Sequence, residues 1–417
     1  MSDDELGPMV ESWLHDLAAI SEPGPGVTRL PFTPQHRAAL DLLGTRMEET
    51  GLSVLLDAAG TLIGRQGGPA GAPVLLMGSH QDSVRQGGAF DGIMGVVLPI
   101  LALKGLRDEG VRLPFAVEVM AFADEEGVRF PTALMGPRAL AGTFDMTALE
   151  LTDRDGISLR QAMSDFGLDP DALPGLKRDP HDVLGWIECH IEQGPQLERA
   201  GAHLGVVTAI CGIERHALRL TGEAGHAGTL PMGLRRDALA AAAEVVLSVE
   251  ALARAIKGLL GTVGALSVTP NAVNAVPGSV DMTIELRAPD DGTRKAAGAA
   301  ITDQVRQIAA ARGVQADIRR SYAQAATPCD PALQDLLMQA VRESGEQGLR
   351  LASGATHDTS AMADLCPVAL LFLACRDGIS HNPAEHATPA TLGRAVAALK
   401  VALQLMGARH GPAANPV

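Results

Sequence analysis

The chain has 417 residues and sets 34 Lys and Arg against 49 Asp and Glu, a formal charge of −15. An acidic chain with 3% aromatics, one tyrosine and two tryptophans lacks the basic, stacking surface that nucleic-acid binding uses. Its length suits two or three domains with their own cores, so a small disulfide scaffold is excluded, and 46% hydrophobic residues exclude general disorder.

The N-terminus, Met1-Ser2-Asp3-Asp4-Glu5, carries acid where a secretory signal carries base, and no apolar segment follows. A cytoplasmic location is expected. Thr33-Pro34 supplies a cap and a first-turn proline for a helix over 35–49, with Gly51 as its stop. Short apolar runs at 74–77, 117–122 and 368–373 read as buried strands, and a helix is expected over 93–106. The apolar run 95–103 is far shorter than the ~20 residues of a membrane span and contains Pro99, so no membrane role is expected.

From residue 212 the pattern changes to β-α-β-β-α-β: strand 213–220, helix 237–257, strands 262–269 and 279–287, helix 294–311, strand 314–322. Asp330-Pro331 and Thr388-Pro389 then open helices running to about 342 and 406, and the Pro/Gly-rich tail after Gly407 is expected to fray. The expected fold is α/β, with a mixed, mostly parallel sheet and flanking helices in a catalytic domain of residues 1–211 and 327–417. An α+β domain, split βαβ and ferredoxin-like, is expected as an insertion over 212–326. The five widely spaced cysteines read as reduced core thiols.

Five segments carry candidate chemistry. Gly78-Ser79-His80-Gln81-Asp82-Ser83-Val84 ends the first buried strand, where ligands of open α/β sheets bind, and Asp82 is spaced to orient the His80 ring. Gly87-Gly88-Ala89-Phe90-Asp91-Gly92 is a glycine-dense loop that brings the backbone close to something and sets Asp91 at a helix start. Asp124-Glu125-Glu126 gathers three acids that repel unless a cation or proton intervenes. His190 lies in Trp186-Ile187-Glu188-Cys189-His190-Ile191-Glu192-Gln193-Gly194-Pro195, and His381 in Gly378-Ile379-Ser380-His381-Asn382-Pro383-Ala384-Glu385. Singly, each reads as a polar loop, a helix cap or a solvated acidic turn. Together, three histidines and two acids at or near strand ends point to a shared metal centre, and a bridging Asp suits a dinuclear one.

This ordered set resembles the hydantoinase/carbamoylase group of the M20 metallopeptidase superfamily, which includes N-carbamoyl-L-amino acid hydrolases, β-ureidopropionases and allantoate amidohydrolases. The resemblance spans about residues 75–390. It implies that His80, Asp91 and His190 hold one divalent ion and that Asp91, Glu126 and His381 hold the other, with Glu125 as the base and Asp82 behind His80. Zn²⁺, Mn²⁺, Co²⁺ and Ni²⁺ all suit such ligands. It further implies a homodimer in which His226, in Gly225-His226-Ala227-Gly228, reaches the partner's site and stabilises the oxyanion. Gln193, His226, Asn274, Arg287 and His357 would contact a small substrate bearing a carboxylate, which suits a bidentate guanidinium.

Thr356 stands where relatives have glycine, Pro137 where they have serine, and Ala374-Cys375-Arg376 replaces a Pro-Ser-Arg-type turn, so the pocket wall departs from the pattern. The function expected is hydrolysis of an N-carbamoyl-L-amino acid or similar ureido acid to amino acid, CO₂ and ammonia. Allantoate amidohydrolase and N-acyl amino acid amidase are the alternatives within this chemistry. A non-catalytic ligand-binding protein is the alternative of another class, and it predicts a missing base or ligand. A dipeptidase would need an acidic partner for the substrate amine, and none is identifiable.

Overall fold

The computed structural model describes residues 3–410. The last helix, Pro389–His410, runs past Gly407, and the rest of the tail expected to fray lies outside the described residues. The chain divides into two compact units: one built from residues up to 208, 329–351 and 357 onward, the other from 209–328 and 352–356.

The sheet of the first unit runs, in order, Ser53–Leu56, Leu62–Gln66, Ala116–Phe122, Val74–His80, Val183–Ile191, Val368–Leu373, Leu204–Ile210. Its four central strands, Ala116–Phe122 to Val368–Leu373, are mutually parallel, and antiparallel pairs flank them. Because side chains alternate along a strand, each central strand feeds two cores. Leu75, Met77, Val117, Val119, Ile187 and Leu371 join a large cluster with the helices Ile93–Asp108 and Pro389–His410. Leu76, Met120, Phe122 and Trp186 point the other way, with Leu140, Met362 and Leu365. Burying one such side chain contributes roughly 1.5–3 kcal/mol. The arrangement sends all four parallel strands' carboxyl ends to one edge, where open α/β sheets place their sites.

Thr33 Oγ1 accepts from the His36 N–H, so the helix Pro34–Glu49 starts where its cap and first-turn proline predict. The helix Ile93–Asp108 differs from expectation at its start. Its cap is Gly92, at φ +65°, with no side-chain capping bond, so Asp91 does not cap it and its carboxylate is free for other partners. All five cysteines are free and buried.

The second unit has a four-stranded antiparallel sheet in the order Gln315–Gln324, Gly212–Thr221, Ser279–Ala288, Leu260–Thr269. The helices Ala238–Ala255 and Asp291–Arg312 cover one face, packing Val245, Ile301 and Val305 on Leu218, Leu220 and Ile284. Asp290 caps the second helix through the Thr293 N–H, which starts it three residues earlier than the apolar pattern suggests. Arg215 and Arg219 alternate with the core residues and face out.

Candidate functional site

The five segments meet at the carboxyl edge of the first unit's sheet. His80 is the last residue of its strand, Asp124-Glu125-Glu126 follows the next strand, His190 is next to last in the third, and His381 lies in the loop after the fourth. Asp91 is the common point. Its Oδ1 lies 3.0 Å from His190 Nε2 and 3.6 Å from His80 Nε2, and its Oδ2 lies 3.3 Å from His381 Nε2. His381 Nε2 is also 3.5 Å from Glu126 Oε1. Two donor sets result, His80–Asp91–His190 and Asp91–Glu126–His381, each with its ligand atoms within 4.8 Å of one another.

The loop glycines have a clear reason. A Cβ on Gly92 would lie 2.3–2.4 Å from the His80 ring, and one on Gly88 would lie 2.1 Å from Glu385 Oε1. Glu385 Oε1 accepts from the Phe90 and Asp91 N–H groups at 2.9 Å, which fixes the loop that presents Asp91. Ser380 Oγ lies 3.1 Å from both Asp91 Oδ2 and Glu385 Oε2. Gln193 Nε2 donates to Asp91 Oδ2 at 3.1 Å. Gln193 and His381 both hold left-handed backbone, φ 55° and 54°, a conformation rare outside glycine that clusters at functional sites.

His80 Nδ1 contacts the Asp82 carbonyl at 3.0 Å, and His190 Nδ1 the Ile191 carbonyl at 3.0 Å. A carbonyl only accepts, so both rings carry their proton on Nδ1 when neutral and turn the Nε2 lone pair towards the Asp91 carboxylate. At His190 the Gly92 N–H also donates to Nε2, at 3.3 Å; at His80 a lone pair facing a carboxylate is repulsive unless a proton or cation lies between. The separations of 3.0 and 3.6 Å bracket the ligand spacing of about 3.3 Å expected around a tetrahedral ion with bonds near 2 Å. The residues therefore fit a divalent cation. Asp82 also differs from the simple picture of a ring-orienting carboxylate. Its main-chain carbonyl is the nearer partner of His80 Nδ1, with its carboxylate Oδ1 at 3.4 Å from the same nitrogen, and that carboxylate also accepts from the Glu125 and Glu126 N–H groups at 3.1 and 3.2 Å.

Electrostatics agree with a shared charge. Burial opposes the charged form of His80, yet Asp82 and Asp91 carry its pKa well above the ordinary value. Asp91 is itself held well below the carboxylate range, because its bonds to His190, His381 and His80 outweigh burial. Burial raises Glu126 to about 7, with Asp91 and Asp82 adding to the rise and His80 and His381 opposing it. Glu125, half-buried beside His80, is pushed well above the usual range by burial and then by Glu126, Asp358 and Asp82, against His80. A carboxyl raised this way is suited to taking and returning a proton.

A profile of peptidase family M20/M25/M40 matches residues 76–405. The chain belongs to that family. An N-carbamoyl-L-amino acid amidohydrolase of Geobacillus stearothermophilus is 42% identical over 368 residues, covering 88% of this M20-family chain and 90% of that protein. An allantoate deiminase of Arabidopsis thaliana is 38% identical over 414 residues, covering 92% and 79%. Among solved structures, an amidase of the hydantoinase/carbamoylase family from Burkholderia multivorans superposes with a TM-score of 0.90 at 33% identity, covering 95% and 97%.

Further buried acids surround the site of this M20-family chain. Glu188 accepts from Ser79 Oγ at 2.7 Å and from the Thr359 N–H and Oγ1 at 2.8 and 2.6 Å. Asp358 is fully buried with neither carboxylate oxygen hydrogen-bonded, and burial followed by the Glu188 charge raises its pKa well above normal. The His357 ring is fully buried, 4.5 Å between centroids from His190. Sequence reasoning assigned no role to Glu188, Asp358, Ser380 or Glu385. The available signal for Glu188 was a carboxylate inside a central strand whose other residues, His190 apart, are apolar or small.

His226, Asn274 and Arg287 belong to the second unit. His226 pairs with Ala275 in a two-residue bridge, its side chain is exposed, and Nδ1 accepts from the Gly228 N–H at 3.1 Å. The Asn274 carbonyl accepts from the Ala227 N–H. Arg287 Nη1 donates to the Gly354 carbonyl at 2.6 Å. Among the described residues, no helix is long and apolar enough to cross a membrane.

Proposed function

We propose that this hydrolase cleaves the C–N bond of an N-carbamoyl-L-amino acid, releasing the amino acid, with the carbamate falling to CO₂ and ammonia. The observation that carries the reading is the pair of donor sets sharing Asp91, with Glu125 beside them. It is supported by the 42% identity to a protein named for that substrate class. Allantoate is the second reading, favoured by the 38% identical plant relative.

In this proposal His80, Asp91 and His190 hold one divalent ion and Asp91, Glu126 and His381 the other. Bound there, the ions would polarise the scissile carbonyl and lower the pKa of a water at the site. Glu125 takes a proton as water attacks the ureido carbonyl and hands that proton to the leaving nitrogen. Gln193 and Ser380 fix the Asp91 carboxylate, so its oxygens keep their two directions. Arg287 and Asn274 receive the substrate carboxylate, His357 lines the pocket, and His226 of a second copy steadies the developing oxyanion. The second unit, in this reading, serves as lid and dimerisation domain.

Ammonia release from N-carbamoyl amino acids and allantoate and acetate release from N-acetyl amino acids, each tested with Zn²⁺, Mn²⁺, Co²⁺ or Ni²⁺, separate the readings. Acetate release without ammonia would sink the carbamoylase assignment. Glu125→Gln should lower kcat by about 10²–10⁴-fold while the protein still binds metal; unchanged turnover rules out Glu125 as the base.

A further inference from the structure

Arg287 is not a lone guanidinium. On the open face of the second unit's sheet its Nε and Nη2 both point at Glu285 Oε1, at 2.8 and 2.7 Å, two residues earlier on the same strand and the same face. Glu285 Oε2 accepts from Arg215 Nε, and the antiparallel register sets Arg215 directly opposite Glu285. Arg215 in turn lies over the ring of Tyr322, 5.0 Å from its centroid, and Tyr322 is its partner on the neighbouring strand. The row therefore runs Tyr322–Arg215–Glu285–Arg287 across three strands and ends at the Gly354 carbonyl.

Two consequences follow from counting donors and charges. A guanidinium has five N–H groups. Glu285 and Gly354 occupy three of them, which leaves one on each terminal nitrogen of Arg287 without a partner among the described residues. Those two are the hydrogens left to offer a carboxylate a fork. The charges of Arg215, Glu285 and Arg287 sum to +1, so the acid that orients Arg287 does not cancel the attraction for an anion. Without Arg215, the Glu285–Arg287 pair would be neutral. The side chains are partly exposed, 26% for Glu285 and 27% for Arg287, so the fork is open to solvent.

We propose that Glu285 is a positioning residue for substrate binding: it clamps the Nε edge of Arg287 so that the terminal nitrogens face the substrate carboxylate, and Arg215 holds Glu285 in that role. This rests on the reading that Arg287 receives the carboxylate. It also makes the length of the acid matter, since the bond from Glu285 fixes the direction of the fork.

The test is a double-mutant cycle on the metal-loaded full-length enzyme with an N-carbamoyl amino acid as substrate, comparing Glu285→Gln, Arg287→Gln and the double variant. Loss of a charged hydrogen bond corresponds to about a tenfold effect, so Glu285→Gln should raise KM about tenfold while kcat changes little. In the Arg287→Gln background the same change should alter kcat/KM less than about twofold, because two residues acting through one another are non-additive. An unchanged or lowered KM in Glu285→Gln overturns the proposal, as does an equal effect with and without Arg287, which would mark a merely structural role. If Arg287→Gln itself leaves KM unchanged, the carboxylate reading of Arg287 falls instead. Should Glu285→Gln fail to fold, Arg215→Met enters the same cycle, with a smaller rise in KM expected and the same overturning results.

Discussion

Gly92 shows how much a single backbone position decides. At φ +65° it takes a conformation that L side chains rarely adopt, and its missing side chain makes room for the His80 ring. Gly92→Ala must rotate His80 away from Asp91 or move the loop, and metal sites commonly lose 10–100-fold in affinity when ligand orientation is disturbed. A drop of about that size in Zn²⁺ affinity, measured by calorimetry on protein that still folds by circular dichroism, is the expected outcome; native affinity in the alanine variant would show that the His80 position tolerates the change. The candidate ligands were legible in the sequence because three histidines and two acids recur together at or near strand ends, although each alone reads as a loop, a cap or a turn. The support behind them was not. Glu385 reaches the Asp91 N–H across 294 residues, and nothing local in the sequence announces such a pairing.

At the scale of elements, the helix Pro34–Glu49 is pinned at its start by His36. The ring is fully buried, stacks on Phe166 with centroids 4.8 Å apart, and its Nδ1 accepts from the Phe32 N–H at 2.9 Å. Burial, then Arg29 and Arg37, depresses its pKa to about 3. The unfolded chain, with an ordinary value near 6.5, binds this proton more tightly than the folded one. The contribution to stability is therefore complete above about pH 6.5 and is lost progressively as pH falls towards 3. Between pH 7.5 and 5.5 the wild type should lose about 1 kcal/mol more than His36→Gln, read from urea midpoints of the two proteins. Parallel pH profiles would remove His36 from the account. Thr33-Pro34 marked this helix in the sequence, since caps and prolines act within one turn. The stacking of His36 on Phe166, in a distant stretch of the chain, depends on packing and left no local sign.

For the whole molecule, the proposed dimer makes a prediction that monomeric catalysis cannot mimic. If His226 serves the partner's site, Glu125→Gln and His226→Ala are each inactive as homodimers. Their mixed dimer keeps one site with both residues intact and should recover about half the activity of a wild-type dimer. Co-expression with two affinity tags, followed by an ammonia assay on the doubly purified species, measures this. No recovery would mean that His226 acts within its own chain, and an active His226→Ala homodimer would mean that it takes no part. The sequence by itself determined the alternation of strands and helices, the split-βαβ insertion pattern, and the order of the histidine and carboxylate motifs, because periodicity, caps and residue chemistry are written within a few neighbours. Only the tertiary structure decided that four parallel strands deliver those motifs to one edge, that Glu385 and Ser380 hold Asp91, and that Arg215 faces Glu285. Sheet order and register bring together residues far apart in the chain, and a register slip of one residue would turn strand side chains such as Arg215 and Glu285 to the opposite face.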